Sequence, residues 1–370
     1  MKHFSIFFIL VLFFGGCALK KDIEYEKLSF TEANLVEVPW ENIKGFDTND
    51  FESSFEVFKL GCTKSARFET LKNVCTLANT STDPKGFFTS NFTPYKLYSD
   101  KGLDSGLMTG YYEPILNGSR TKSEIYKYPI YKVPNDIYVI DLSSVYPELG
   151  NYRLRGRIEG NKIVPYYSRS ELKNIDESNF DTIVYVDSEI DLFFLHIQGS
   201  GKVKLEDGTI INVGYGMQNG HRYYSIGRKL IEIGALQKED VSLQTISKWL
   251  EENPHMTDEI LNLNQSYIFF TENTKSATGS LGIELKAQKK IAVDRRYIPL
   301  GFPVFINTTN PITKEPIDTL VLAADTGGAI KGEIRGDFFW GNTQEAKEAA
   351  GLMKEKVTMY LFVPNDLISK

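Results

Sequence analysis

The segment ADTGGAIKGEIRGDFFWG, residues 324–341, carries two carboxylic acids, Asp325 and Asp337, on a glycine-rich frame. Behind Asp337 run three bulky aromatic residues, Phe338, Phe339 and Trp340. A carboxyl packed against such groups loses hydration, and its pKa rises. A second carboxylate nearby pushes it further. An aspartic acid treated this way stays protonated near neutral pH and can give its proton to a leaving group. The same residue types also suit side-chain capping of tight turns, and composition alone leaves both readings open. Asp294 in AVDRRYIPLG is a third acid, for which pairing with Arg295 or Arg296 is the simpler account. Lys331 is either a solvated loop charge or a cation that orients a carboxylate.

Other chemistries find less support. His196, His221 and His255 are too far apart to read as a metal cluster, and no nucleophile-elbow signature accompanies them. The stretches HIQGSG and GYGMQNGHRYYSIG are polar, aromatic and interrupted by glycine. They suit a sugar groove, with amides for hydroxyl groups and tyrosines for ring faces, or else turns and core tyrosines. The 370-residue chain has a net charge of −6 and no basic block, which speaks against a nucleic-acid partner.

The elements that must hold these residues follow from periodicity. The opening MKHFSIFFILVLFFGGC has a short apolar run after a lysine and reads as a secretory signal over residues 1–17. Small residues before Cys17 resemble a bacterial lipoprotein box. The box implies lipid on Cys17 and, with no aspartate following, an outer-membrane anchor facing the periplasm. Export permits a Cys62–Cys75 bridge; two buried free thiols are the alternative. Residues 51–80 show helical spacing through Phe51, Phe55 and Phe58. A strand-like MTGYYEP follows at 108–114. Between 120 and 215 come many short β-type runs, DTIVYVD and DLFFLHIQGSG among them, with a hairpin at LEDGT. Helical patterns cover SIGRKLIEIG and SLQTISKWLEEN, the second capped by Asp240. Strands return after about 266 as SYIFF, KKIAVD, FPVFINT, DTLVLAAD and VTMYLFVP.

Taken together, MTGYYEP, FFLHIQGSG, NGHRYYSIG, VDRRYIPLG and ADTGGAIKGEIRGDFFWG resemble the membrane-bound lytic murein transglycosylase A family, in that family's order, over residues 100 to 345. Asp294, Asp325 and Asp337 resemble its three-aspartate module. The resemblance implies a mainly β fold with a few helices. A double-psi β-barrel would be built from residues 18–114 and 272–370. A smaller β-rich domain, 115–271, would be inserted to form the other wall of a glycan cleft. It implies cleavage of peptidoglycan between N-acetylmuramic acid and N-acetylglucosamine with a 1,6-anhydro product. Asp337 would be the catalytic acid, Asp325 its partner, and Thr109, Tyr111, Gln198, Ser200 and Lys331 would meet substrate. Neither metal nor cofactor is required. A water-using glycosidase and a non-catalytic wall-binding lipoprotein are the competing expectations, and partner proteins are not legible.

Overall fold

The computed structural model describes residues 24–152, 154–273 and 278–368. The signal segment and Cys17 lie outside the described residues. Among the described residues no helix is long and apolar enough to cross a membrane.

The chain opens with strand β1 (Asn34–Glu37) and three helices, α1 (Phe51–Ser65), α2 (Lys72–Ala78) and α3 (Pro84–Asn91). Asp50 and Asp83 start α1 and α3 by accepting the N–H of Ser53 and Gly86. Phe55 and Phe58 on α1 meet Phe87 and Phe88 on α3 in an aromatic cluster with centroids 4.8–6.0 Å apart. Each fully buried ring contributes roughly 2–3 kcal/mol of apolar burial. A disulfide joins Cys62 of α1 to Cys75 of α2. Constraining so short a loop in the unfolded chain is worth about 3 kcal/mol.

Strands β2 (Phe92–Tyr98) and β3 (Gly106–Tyr111) complete the first part. The chain then crosses through Tyr112–Glu113–Pro114 into a separate sheet. That region comprises β4 (Ile115–Ser119), β5 (Tyr128–Tyr131), β6 (Tyr138–Val139), β7 (Arg155–Glu159), β8 (Lys162–Pro165), α4 (Arg169–Leu172), β9 (Thr182–Val186), α5 (Glu189–Gln198), β10 (Gly201–Leu205), β11 (Ile210–Gln218), α6 (Ile226–Glu232), α7 (Leu243–Glu252), α8 (Pro254–Asn262) and β12 (Ile268–Asn273). Six of its strands pair in the order β12-β11-β10-β4-β9-β5, and β6-β7-β8 form a separate small meander. Helices α5 to α8 share their own apolar cluster through Phe193, Leu230, Leu250 and Leu261.

The last part returns to the first sheet with β13 (Lys290–Val293), β14 (Pro303–Thr309), β15 (Pro316–Asp325), β16 (Arg335–Phe339), α9 (Gln344–Leu352) and β17 (Lys354–Pro364). The strand order is β1-β2-β17-β14-β15-β13-β16-β3, and the start of β17 also pairs with β3. The sheet therefore curls into a nearly closed barrel made of N- and C-terminal strands. Its core holds Phe305, Leu320, Phe338 and Leu361. Gly110 lets β3 run under α9, because a Cβ there would sit 2.7 Å from the Trp340 indole nitrogen and 2.8 Å from the Ala350 Cα.

Two local readings need correction. DLFFLHIQ is not a β-type run; it is helix α5, started by Ser188, whose side chain accepts the Asp191 N–H. Its apolar residues fit a buried helix as well as a strand, and the cap decides. Helix α7 is capped by Ser242, not Asp240: the Ser242 side chain accepts from Thr245 N–H while the Thr245 hydroxyl accepts from the Ser242 N–H.

Candidate active site

Register places the two acids. Asp337 on β16 stands opposite Thr109 on parallel β3 and opposite Ala292 on antiparallel β13. Ala292 in turn stands opposite Asp325, the last residue of parallel β15, next to a register shift. The row across four strands is thus Thr109, Asp337, Ala292, Asp325. The small Ala292 side chain leaves room between the carboxylates. Two strand spacings separate their backbones by roughly 10 Å.

Strand alternation sorts the aromatic run. Phe338 and Trp340 belong to the barrel core, whereas Phe339 joins Tyr111, Ala292 and Ile330 in a small apolar cluster on the acids' face. Tyr111 and Phe339 rings lie 5.1 Å apart. One aromatic residue of the three therefore shares the face of Asp337.

Burial pushes the Asp337 carboxyl up to about 6. The Thr109 hydroxyl and the Arg335 guanidinium pull the other way, and the charge of Asp325 adds to the rise. The Thr109 hydroxyl donates to Asp337 Oδ1. Arg335 Nη2 donates to the same hydroxyl oxygen over 2.8 Å and so turns the hydroxyl proton away from itself and toward Asp337. The proton of an acidic Asp337 is therefore left to Oδ2.

Asp325 is satisfied differently. Its Oδ1 accepts from Ser280 N–H at 2.9 Å, the Ser280 hydroxyl at 2.8 Å and Thr326 N–H at 2.8 Å. Its Oδ2 accepts from the Tyr111 hydroxyl at 3.3 Å. Burial still raises its pKa against these four donors. Asp294 is buried beneath the loop that follows. Arg296 Nε and Nη2 reach it at 3.1 and 2.7 Å, and Gly332 N–H at 3.1 Å. Burial pushes this carboxyl up, but the Arg296 guanidinium and the N–H groups of Gly332 and Arg296 outweigh it and hold it below the usual range. Asp294 thus clips the 326–334 loop to the end of β13.

The remaining expected residues scatter. Gln198, the last residue of α5, accepts the Tyr112 N–H through Oε1 at 3.2 Å. It shares with Thr109 the wall of a cavity of about 1200 Å³ that also includes Tyr112, Tyr223, Trp249 and Lys354. Tyr111, Ser200, Lys331 and the two aspartates are not in that wall. Lys331 is exposed on the loop, and Ser200 is half-buried after α5. Among the described residues no cluster of three or more His, Cys, Asp or Glu is placed to hold a metal ion. Sequence reasoning missed Arg335, Ala292 and Ser280. Arg335 was within reach, since two positions before Asp337 on a strand is the same face. Ser280 comes from a distant connection and carries no local signal.

Comparison with known proteins finds relatives over most of the chain. The MltA-specific insert domain matches residues 107–271 and the 3D domain matches residues 289–363. The membrane-bound lytic murein transglycosylase A of Escherichia coli is 31% identical over 251 residues, which are 66% of this chain and 61% of that protein. The chain thus spans about three-fifths of the length of that curated relative. A homologue from Buchnera aphidicola is 32% identical over 269 residues, 69% of this chain and 66% of its own. The crystal structure of MltA from Neisseria gonorrhoeae superposes with a TM-score of 0.80 at 33% identity, covering 92% of this chain and 96% of that one. A membrane-bound lytic murein transglycosylase from Agrobacterium tumefaciens gives 0.81 at 29% identity, covering 90% and 98%. With the gonococcal protein matched over nearly all its length at that identity, the chain belongs to the membrane-bound lytic murein transglycosylase A family.

Proposed function

We propose that this chain is a peptidoglycan lytic transglycosylase acting through a single protein acid, Asp337. The observation that carries the reading is a desolvated carboxyl poised near neutrality, with Oδ1 held by Thr109 and Oδ2 left to carry the proton. Asp337 gives that proton to the oxygen bridging N-acetylmuramic acid and N-acetylglucosamine as the C1–O bond breaks. The resulting carboxylate then takes the proton of the sugar's own 6-hydroxyl as O6 closes on C1. The product is a 1,6-anhydromuramoyl end, and no water is consumed. The attacking hydroxyl is part of the substrate, so it starts at high effective concentration. Asp325, held by four donors, acts as a fixed negative charge beside the developing cation.

In this reading Thr109 and Tyr111 position the carboxylates, and Gln198, Ser200 and Lys331 meet the glycan. The Gln198 amide nitrogen faces substrate while its oxygen holds the crossing segment at Tyr112. Residues 18–114 with 272–370 form the barrel domain, of double-psi type, and 115–271 the opposing wall. Cys17 carries lipid in the outer membrane, facing the wall from the periplasm.

One observation favours a rival. Asp337 and Asp325 stand on either side of Ala292, two strands apart, and inverting glycosidases likewise set two carboxyls on either side of a water. In such an enzyme Asp325 would activate water. Mass spectrometry of digested sacculi decides between them. Anhydro ends support ring closure; reducing ends, heavier by one water, support hydrolysis. A protein that only binds the wall would release no fragments, and its Asp337→Asn variant would behave like the wild type.

A further inference from the structure

Away from the acids, the inserted region contains a cavity of about 380 Å³ whose wall includes Arg169, His196, Tyr267, Tyr131, Leu172 and Phe193. Arg169 and His196 are only 5% and 6% exposed. Arg169 donates through Nε to the Asn264 carbonyl at 2.9 Å and through Nη2 to the Ser266 carbonyl at 2.8 Å. Its Nη1 lies 3.0 Å from His196 Nδ1. A guanidinium only donates, so Nδ1 accepts and the imidazole proton sits on Nε2. That Nε2–H is buried with no partner. Arg169 spends three of its five N–H groups on these bonds, and among the described residues no carboxylate touches it. Beside the cavity the protein thus holds a buried cation, on which the Glu189 charge acts only through space, and an orphaned donor, both costly to leave unmatched. Aromatic faces stand beside them: Arg169 lies 4.8 Å from the Phe193 centroid and 5.2 Å from that of Tyr267. The acids at the cavity rim are already engaged. Glu189 is bonded to Lys173, and Glu177 to Lys122 and Tyr185.

We propose that this cavity binds a small carboxylate with a flat or branched apolar body. The carboxylate lies between the spare N–H groups of Arg169 and His196 Nε2–H, and the body lies against Tyr131 and Leu172. The volume suits a ligand of that size, at the lower end of ordinary small-molecule sites. A free organic acid and the D-alanine end of a wall peptide share this chemistry.

Calorimetric titration of the full chain carrying Asp337→Asn tests the site with no wall turnover involved, so the result is independent of the proposed reaction. The probes are phenylacetate, its neutral amide, and N-acetyl-D-alanyl-D-alanine. We expect phenylacetate to bind and the amide to bind about tenfold or more weakly, because charge-assisted hydrogen bonds are lost. His196→Phe removes the donor and keeps a ring. Ile175→Trp fills the cavity from a half-buried wall position and leaves Arg169 and His196 untouched, should the first variant fold poorly. Each should abolish binding while the melting transition remains cooperative. Binding of the dipeptide at the same site identifies the wall peptide as the source; phenylacetate binding without it identifies a free acid. The site is overturned if neither acid binds, if acid and amide bind alike, or if binding survives Ile175→Trp.

Discussion

The end of β15 and the middle of β16 bear the same residue type, flank the same alanine and face the same side of the barrel, yet they treat a carboxylate in opposite ways. At Asp325 four donors converge, from a backbone turn, a distant serine and a tyrosine. At Asp337 one hydroxyl reaches one oxygen, and an arginine acts on it from behind. Burial acts on both. The difference teaches that desolvation alone does not make an acid catalyst. What matters is how much of the lost hydration the protein replaces, and on which oxygen. In the proposed reaction Asp325, met by four donors, serves as a fixed charge, and Asp337, met by one, holds the proton.

The largest break in the comparison is Asp337→Asn. Removing a general acid–base costs 10²–10⁴-fold, so sacculus solubilisation should fall by about 10³-fold. The same variant should be more stable. The folded pKa of about 6 lies above the ordinary value of 3.8. The native state thus binds the proton more tightly, and the stability this confers is full below the unfolded pKa and lost as pH rises through about 6. At pH 7 the ionised, buried carboxylate costs about 3 kcal/mol, which asparagine escapes. Thermal melts at pH 7 and pH 4 check this: the variant should gain at the higher pH and gain little at the lower. A variant both active and unstabilised would erase the distinction between the two sites.

Next comes Asp325→Asn. It removes the neighbouring charge that pushes Asp337 up, so the pH at which activity falls on the alkaline side should move down. Turnover should drop about 10–100-fold, as for loss of an electrostatic stabiliser rather than of the acid. Equal losses for the two substitutions, with no shift in the pH profile, would mean the carboxylates act as a water-activating pair.

Arg335→Met sharpens the same contrast from the opposite side. The guanidinium holds Asp337 down and locks the direction of the Thr109 hydroxyl. Without it the alkaline limb should move up in pH, and activity should fall several-fold through lost orientation. Arg335→Lys keeps the charge and should restore most of the pH profile, though one ammonium lacks the planar fork. An unchanged profile in Arg335→Met would remove Arg335 from the tuning of the acid.

The sequence exposed this contrast only in part. Two acids on a glycine-rich frame were legible, as were most barrel strands, because alternating or continuous apolar runs survive in one dimension. The aromatic run after Asp337 was over-read: alternation on β16 sends Phe338 and Trp340 into the barrel and leaves Phe339 beside the acid. Helix α5 was misread, because DLFFLHIQ is apolar enough for either period and only Ser188 distinguishes them. The barrel's closure, with β3 from one end of the chain against β16 and β17 from the other, is a long-range pairing that no local pattern encodes. The donors that make Asp325 unlike Asp337 were invisible for the same reason.

Ser280 is therefore the finest probe of the comparison. Its hydroxyl and its N–H both reach Asp325 Oδ1, but only the hydroxyl can be removed by substitution. Ser280→Ala leaves two backbone donors on that oxygen and the Tyr111 hydroxyl on the other. Losing one hydrogen bond to a charged group costs about 1.5–3 kcal/mol in stability. The Asp325 pKa should rise slightly, because a donor that favours the carboxylate has gone. Its charge near Asp337 then weakens only at the acidic end of the pH range, so turnover at neutral pH should change by less than about threefold, a barrier change below about 0.7 kcal/mol. If turnover instead fell as far as in Asp325→Asn, the serine hydroxyl would be more than a support for a fixed charge, and Asp325 would need to change protonation state during the reaction. A melting-curve loss with near-normal neutral turnover is the outcome that keeps the two carboxylates in different roles.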